Sequence, residues 1–316
     1  MTAGMIGTMA RKARGQPIHG WLVLDKPLGM SSSEAVTAVR RILGAAKAGH
    51  GGTLDPLATG VLPIALGEAT KTVPWVMAGL KLYRFTLRWG EARDSDDGEG
   101  KIIAQSRVRP EAAAIEAMLP RFIGRLPQRP PAFSALKVAG ERAYDLARSG
   151  QAVALASRPV EIMALRLTDL PNADHAEFEA AVGKGTYIRA LARDFGETLG
   201  THAHVTALRR LSVGRFGLER AISLDNLVSL GHSAAASAYL LPIETALDDI
   251  PALALTEAEA HRLRCGQAVT PLRPSDRARI DQLGDGATVC ATTGGKLVAL
   301  AEVAAGGLRP VRVMNL

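Results

Sequence analysis

The residues with the most chemistry in them lie in the run GHGGTLDPLATG at residues 49–60. Glycine and proline at this density read as a loop, and such loops let backbone approach a ligand closely. Asp55 is the single acid of the run. The proline that follows biases its backbone away from the helical region, so the carboxylate can be presented outward. A carboxylate with a reference pKa of about 3.9 is ionised at neutral pH and can act as a nucleophile without a base to activate it. Asp before Pro also commonly does no more than open a turn, and the loop taken alone favours that plainer reading.

Other candidates divide in the same way. Tyr83 stands in alternation with Phe85, Leu87 and Trp89, a pattern that ordinarily means core. Asp97 lies in an acidic, glycine-rich stretch at 94–100 that reads as a solvated loop. Asp94, Asp96 and Gly98 resemble the start of a calcium loop, but Gln105 stands where a bidentate Glu is needed. His202 and His204 suggest a metal pair with no third ligand, so no metal is expected, and an ionised carboxylate nucleophile demands no cofactor.

The elements that must hold these residues are legible from pattern. A short apolar strand over 20–25 gives way to Lys26, Pro27 and Gly29, which are turn chemistry. Ser31 and Glu34 have capping-box spacing for a helix whose apolar face is Ala35, Val39, Ile42 and Leu43, with Gly44 as its stop. Residues 82–89 alternate as a half-buried strand. A strand and an alanine-rich helix over 110–118 follow the acidic loop, and prolines at 127, 130 and 131 introduce a polar insertion over about 127–150. Residues 177–189 read as one strand, where period two would set Tyr187 and Arg189 on the same face, followed by a helix through Leu191, Phe195 and Leu199. Composition changes at 248–251, which places a domain boundary at 249/250. Beyond it, Thr256 and Glu259 cap another helix, and short strands are expected over 297–303 and 308–313.

Length and charge fit this plan. A chain of 316 residues, 47% hydrophobic, suits two domains. Its net charge of +7 suits a polyanionic partner, because each neutralised phosphate releases counterions. Two cysteines are too few for a zinc cluster or a disulfide framework. Residues 1–16 read as a basic arm without the apolar run of a signal peptide, and no stretch reaches the length of a membrane span. The expected setting is cytoplasmic.

The loop at 49–60, the segment LDKPLGMSS at 24–32, the strand at 81–85, residues 131–148, KGTYIR at 184–189 and HVTALRRL at 204–211 together resemble the TruB family of tRNA pseudouridine synthases over residues 18–220. The resemblance implies an α+β catalytic domain on a large mixed, mostly antiparallel sheet over 17–249, with a thumb-like insertion, and a small β-rich domain similar to the RNA-binding PUA domain over 250–316. It implies isomerisation of one uridine to pseudouridine in the T arm of tRNA by a monomer. Asp55 would attack C1′ or C6, Arg189 would pair with it, Tyr83 would stack on the flipped uracil, and Asp97 would share the network. Tyr187 would line the pocket, His50 would fill the space left by flipped bases, and Lys26 and Pro27 would buttress the loop. Leu208, Lys71, Arg142, Arg148, Arg209, Arg210 and Arg215 would contact the RNA. The alternative is a noncatalytic tRNA-folding factor using the same surface; a ribonucleoprotein subunit fits less well, since the insertion and amino-terminal half resemble the stand-alone branch. Gly51 and Arg93 depart from the family pattern, where threonine is common.

Overall fold

The computed structural model describes residues 15–316 except 135, 139–140, 143–145, 147–154, 232 and 272, so Arg148 and most of the basic arm lie outside the described residues. The apolar run at the start forms β1 (Gly20–Lys26), with Trp21, Leu22, Val23 and Leu24 fully buried. The helix Ser32–Ile42 opens on the expected capping box of Ser31 and Glu34. The predicted loop is shorter than 49–60, because its ends are drawn into β2 (Ala48–His50) and β3 (Ala58–Leu66), leaving 51–57 irregular.

Strand β4 (Lys81–Trp89) buries Tyr83, Phe85, Leu87 and Trp89, as its alternation requires. β5 (Glu91–Arg93) and β6 (Ile102–Gln105) pair around the acidic loop. β7 (Gly124–Gln128) takes Pro127 into an edge strand, so the insertion starts after Gln128. Within it β8 (Lys137–Val138) pairs with β9 (Glu141–Arg142). β10 (Arg158–Asn172), β11 (His175–Val182), β12 (Ala203–Val213), β13 (Phe216–Gly217) and β14 (Ala221–Ser223) complete the large sheet.

One reading is corrected here. Residues 177–189 are not one strand: β11 ends at Val182, Gly185 turns the chain at φ +83°, and the helix Ile188–Thr198 begins with Arg189 in its first turn. Ile188, Leu191, Ala192 and Phe195 are buried at helical spacing, and that period overrode the local alternation.

The sheet runs β14-β1-β3-β12-β4-β11-β10-β7, with β2 and β13 at its margins. Only β1 with β14 and β3 with β12 pair in parallel, so the sheet is mixed and mostly antiparallel, as expected. The central neighbours matter for chemistry. Arg210 of β12 stands between Gly60 of β3 and Tyr83 of β4, and Leu208 stands between Ala58 and Phe85. The loop carrying Asp55 enters β3 directly beside β12.

Beyond Pro251, β15 (Ala252–Ala254), β16 (Thr288–Thr293), β17 (Lys296–Ala304) and β18 (Gly307–Val313) form a separate sheet around Leu253, Leu263, Val289, Val303 and Leu308. This is the β-rich carboxyl-terminal module expected from sequence. Its other face is shared. Cys290, Leu297, Leu300 and Met314 join Trp21, Val76, Phe216 and Ile243 in one apolar layer. Lys71 Nζ donates to Val313 O at 2.7 Å, and Asn315 N donates to Glu68 Oε2 at 2.8 Å, so the module is tied polar-to-polar as well. Among the described residues no helix is long and apolar enough to cross a membrane.

Candidate active site

Asp55 sits in the 51–57 loop with its side chain about one third exposed, and Arg189 lies beneath it, nearly sealed from water. Arg189 Nε approaches Asp55 Oδ2 to 2.9 Å. Its N–H is not aimed along that line, so the contact is a charge pairing and not a linear hydrogen bond.

The rest of Arg189 is fixed by backbone. Nη1 donates to Ser95 O and Nη2 to Phe133 O, both at 2.9 Å, and Nη1 lies 3.3 Å from Asp97 Oδ2. Asp97 is buried, and Oδ1 accepts from Ser95 Oγ at 2.6 Å and Glu99 N at 3.1 Å. The structure therefore brings Asp55, Arg189 and Asp97 onto one guanidinium from three distant stretches of sequence. The carbonyls of Ser95 and Phe133 were invisible to sequence reading, since any residue type supplies them.

The loop itself is pinned from below. Arg210 is 1% exposed and donates to Val61 O at 2.8 Å, Gly52 O at 2.9 Å and Thr53 O at 3.3 Å. It is thus corrected from an RNA contact to an internal brace, because its place opposite Tyr83 turns it inward. Gly60 permits the arrangement: at φ +98° a Cβ would lie 2.2 Å from Arg210 O. Lys26, fully buried, donates to Pro27 O at 2.9 Å, Met30 O at 2.7 Å and Pro56 O at 3.4 Å, and Ser32 Oγ both donates to Leu54 O and accepts from Leu54 N. Burial draws the Lys26 ammonium down to about 8, against the pull of Asp55.

The other expected positions fall as follows. His50 ends β2, and Gly52 N donates to its Nδ1 at 3.3 Å; burial, with Arg210 nearby, lowers its pKa and favours the neutral ring. Tyr187 caps the helix Ile188–Thr198, its backbone N–H and C=O bonded to the Gln128 side chain at 2.9 and 3.1 Å, and burial raises its phenol pKa. Gln128 is a positioning residue that no sequence signal marked. A cavity of about 110 Å³ opens beside Tyr187, lined also by Gln128, Leu136, Arg158 and Gly185. Leu208 is buried on the face that carries Phe85.

Arg209 faces the other way from Arg210, in a two-pronged pairing with Asp25 at 3.0 and 2.8 Å. Lys71 is held by Glu68 and by Val313 O, and Arg215 by Asp249. Arg142 lies in β9, away from the loop in sequence, and Arg148 lies outside the described residues. His204 Nδ1 is 3.1 Å from Glu91 O, and among the described residues no group of His, Cys, Asp and Glu is arranged to hold a metal.

The two departures have local reasons. A Cβ on Gly51 would lie 2.7 Å from Val76 Cγ1 and 3.4 Å from Trp21, so packing in this chain fills the space a threonine would need. Arg93 Nη1 donates to Gly98 O and Gly100 O, closing the acidic loop that carries Asp97.

Comparison with known proteins assigns this sheet and its aspartate loop to the pseudouridylate synthases. The model of the TruB family pseudouridylate synthase N-terminal domain matches residues 40–188, and that of the tRNA pseudouridylate synthase B C-terminal domain matches 189–248. The tRNA pseudouridine synthase B of Rhodospirillum rubrum is 56% identical over 98% of this chain and all of that protein; that of Caulobacter vibrioides is 52% identical over the same shares. A chain in the crystal structure of a Cbf5-Nop10-Gar1 complex is 27% identical at a TM-score of 0.69, covering 90% of this chain and 78% of its own length. One in an archaeal box H/ACA sRNP Nop10-Cbf5 complex, 23% identical at a TM-score of 0.70 over 96% and 91%, shares the fold. The chain belongs to the TruB family of pseudouridylate synthases.

Proposed function

We propose that this chain is a tRNA pseudouridine synthase that isomerises a uridine of the T arm, with Asp55 as its nucleophile. The observation that carries the reading is the Asp55 carboxylate, accessible at the sheet centre and paired at 2.9 Å with the buried Arg189. Relatives 52–56% identical over nearly the whole chain are named tRNA pseudouridine synthase B.

The reaction breaks the N1–C1′ bond and forms C5–C1′ without changing composition. Asp55 attacks C1′ or C6 and the N1–C1′ bond breaks; the uracil turns within the pocket, C5 bonds to C1′, the bond to Asp55 breaks and returns its electron pair to the carboxylate, and the proton on C5 leaves as N1 gains one. The carboxylate supplies covalent catalysis, and the enclosing pocket keeps the free base from escaping. Arg189, 2.9 Å away, gives the attacking carboxylate its direction. Tyr83, paired with Arg210 across the sheet, is the residue this reading assigns to stack on the flipped uracil and to act as the base for the C5 proton. A base inside a folded RNA loop must first be flipped out, at a cost of a few kcal/mol offset by stacking and phosphate contacts. His50, at the rim of the loop, is the group assigned to the vacated space.

Incubation with an unmodified T-arm transcript followed by digestion to nucleosides tests this directly. Pseudouridine should appear with the wild type and vanish with Asp55→Asn, while RNA affinity stays within about threefold. Pseudouridine formation by Asp55→Asn at the wild-type rate would end the proposal. A protein that binds and refolds the transcript without ever producing pseudouridine would be a folding factor.

A further inference from the structure

A second arginine stands one helical turn after Arg189 and clasps the same two segments. Arg193 Nη1 donates to Asp96 Oδ2 at 2.9 Å, and Nη2 donates to Arg129 O at 2.7 Å. Arg189 Nη1 and Nη2 donate to Ser95 O and Phe133 O. Residues four apart share a helix face, so the two guanidiniums form a ladder between the 94–100 loop and the 129–133 segment at the root of the insertion.

Asp96 sits at the hinge of that ladder. Its φ is +58°, and it is one of only two non-glycine residues with positive φ among those described. Such a conformation costs about 1–2 kcal/mol for most residues and less for Asp or Asn, whose side chains hydrogen-bond locally. Glycine or asparagine would make the turn without a charge. A carboxylate 12% exposed is costly unless its charge is used. The turn sends consecutive residues to different partners: Ser95 O and the Asp97 carboxylate to Arg189, the Asp96 carboxylate to Arg193. Asp96 O also accepts from Val205 N at 3.1 Å, fastening the turn to β12. Strain and buried charge at a residue adjoining Asp97 point to a role in the reaction.

We propose that Arg193 and Asp96 are positioning residues for the isomerisation, fixing the Asp97 loop to the root of the insertion and so holding Arg189 in the orientation that aims Asp55. The proposal rests on the isomerase reading above. Neither group touches the reacting atoms; both act through Arg189 and Asp97. Whatever shifts the 129–133 segment shifts both guanidiniums together, so seating of RNA against the insertion is felt at the nucleophile.

The charges facing Asp96 are Arg193, Arg189 and Arg129, which favour its ionised form, and Asp194, which opposes it; burial outweighs them and raises its carboxyl to about 6. Asp96 is thus ionised above pH 6 and neutral below, and the clasp weakens on the acid side. Single-turnover rates at saturating tRNA, from pH 5.5 to 8.5, read this out. The wild-type rate should rise about threefold from pH 5.5 to a plateau above pH 7, along a titration curve with its midpoint near 6. Asp96→Asn keeps the volume and tolerates the positive φ; its rate at pH 8 should fall about tenfold and lose the step near pH 6. Arg193→Lys should restore part of the rate lost by Arg193→Gln, with RNA affinity unchanged in all three. A step near pH 6 that persists in Asp96→Asn, or Arg193→Gln and Asp96→Asn both at the wild-type rate, overturns the proposal even if Arg193→Gln folds poorly. A wild type that makes no pseudouridine instead fails the isomerase reading, and this proposal with it.

Discussion

Replacing Arg210 by lysine is expected to disable the site from beneath without touching it. The guanidinium satisfies the buried carbonyls of Val61 and Gly52 and the part-buried carbonyl of Thr53, and Gly52 and Thr53 lie within three residues of Asp55. A lysine ammonium reaches one of them from the same backbone position, leaving two unpaired. With Thr53 O open to water, one buried carbonyl is left without a donor at about 1–3 kcal/mol, and the fold should lose about that much. At about 2–4 °C per kcal/mol for a domain of this size, the unfolding midpoint should drop by about 2–12 °C. Loss of the donors frees the 51–57 loop, and displacement of a nucleophile by about 1 Å costs on the order of 100-fold in rate. Thermal unfolding and single-turnover pseudouridine formation measure the two effects. Salt-dependent tRNA binding measures a third. In Arg210→Met, which removes the charge, a lost phosphate contact would lower the slope of log affinity against log salt by about 0.9; a side chain 1% exposed should leave the slope unchanged. Wild-type rate and midpoint together with a reduced slope would refute the bracing role.

Gly60→Ala should be among the most damaging of small substitutions, since its Cβ meets Arg210 O at 2.2 Å, and little folded protein is expected on expression. Gly294→Ala, also at positive φ but with nothing within 4 Å, serves as the comparison, costing about 1 kcal/mol in a urea titration. Lys26 gives a pH dependence of stability. Its folded pKa of about 8 lies below the unfolded 10.5, so between those values the unfolded chain holds the extra proton and the wild type gains stability as pH rises. The stability difference between wild type and Lys26→Met should move in favour of the wild type from pH 7.5 to 10; equal differences at both would remove Lys26 as the titrating group.

How much of this was legible before the coordinates depends on the range of each cause. The capping boxes at Ser31 and Thr256 and the alternation through Tyr83 and Trp89 are local, and the structure carries them as expected. The meeting of Asp55, Arg189 and Asp97 came from family resemblance, since no local pattern joins residues so far apart. Arg210 was misplaced because a basic residue beside another basic residue looks like surface. Alternation says that Arg209 and Arg210 face opposite sides of β12 but not which side is enclosed. Arg193 gave no signal and Asp96 only that of a calcium loop lacking its Glu, for each is an ordinary polar residue until the turn at φ +58° aims one at the other.

The bonds from Lys71 to Val313 and from Glu68 to Asn315 span 242 and 247 residues. During synthesis at about 5–20 residues per second, the amino-terminal partners wait some 12–50 s for theirs to emerge. Through that interval Trp21, Val76 and Phe216 lack the Leu297, Leu300 and Met314 that later cover them. The nascent protein therefore carries an open greasy flank until its translation has run past the carboxyl-terminal module, and this is the stage at which chaperones have most to protect.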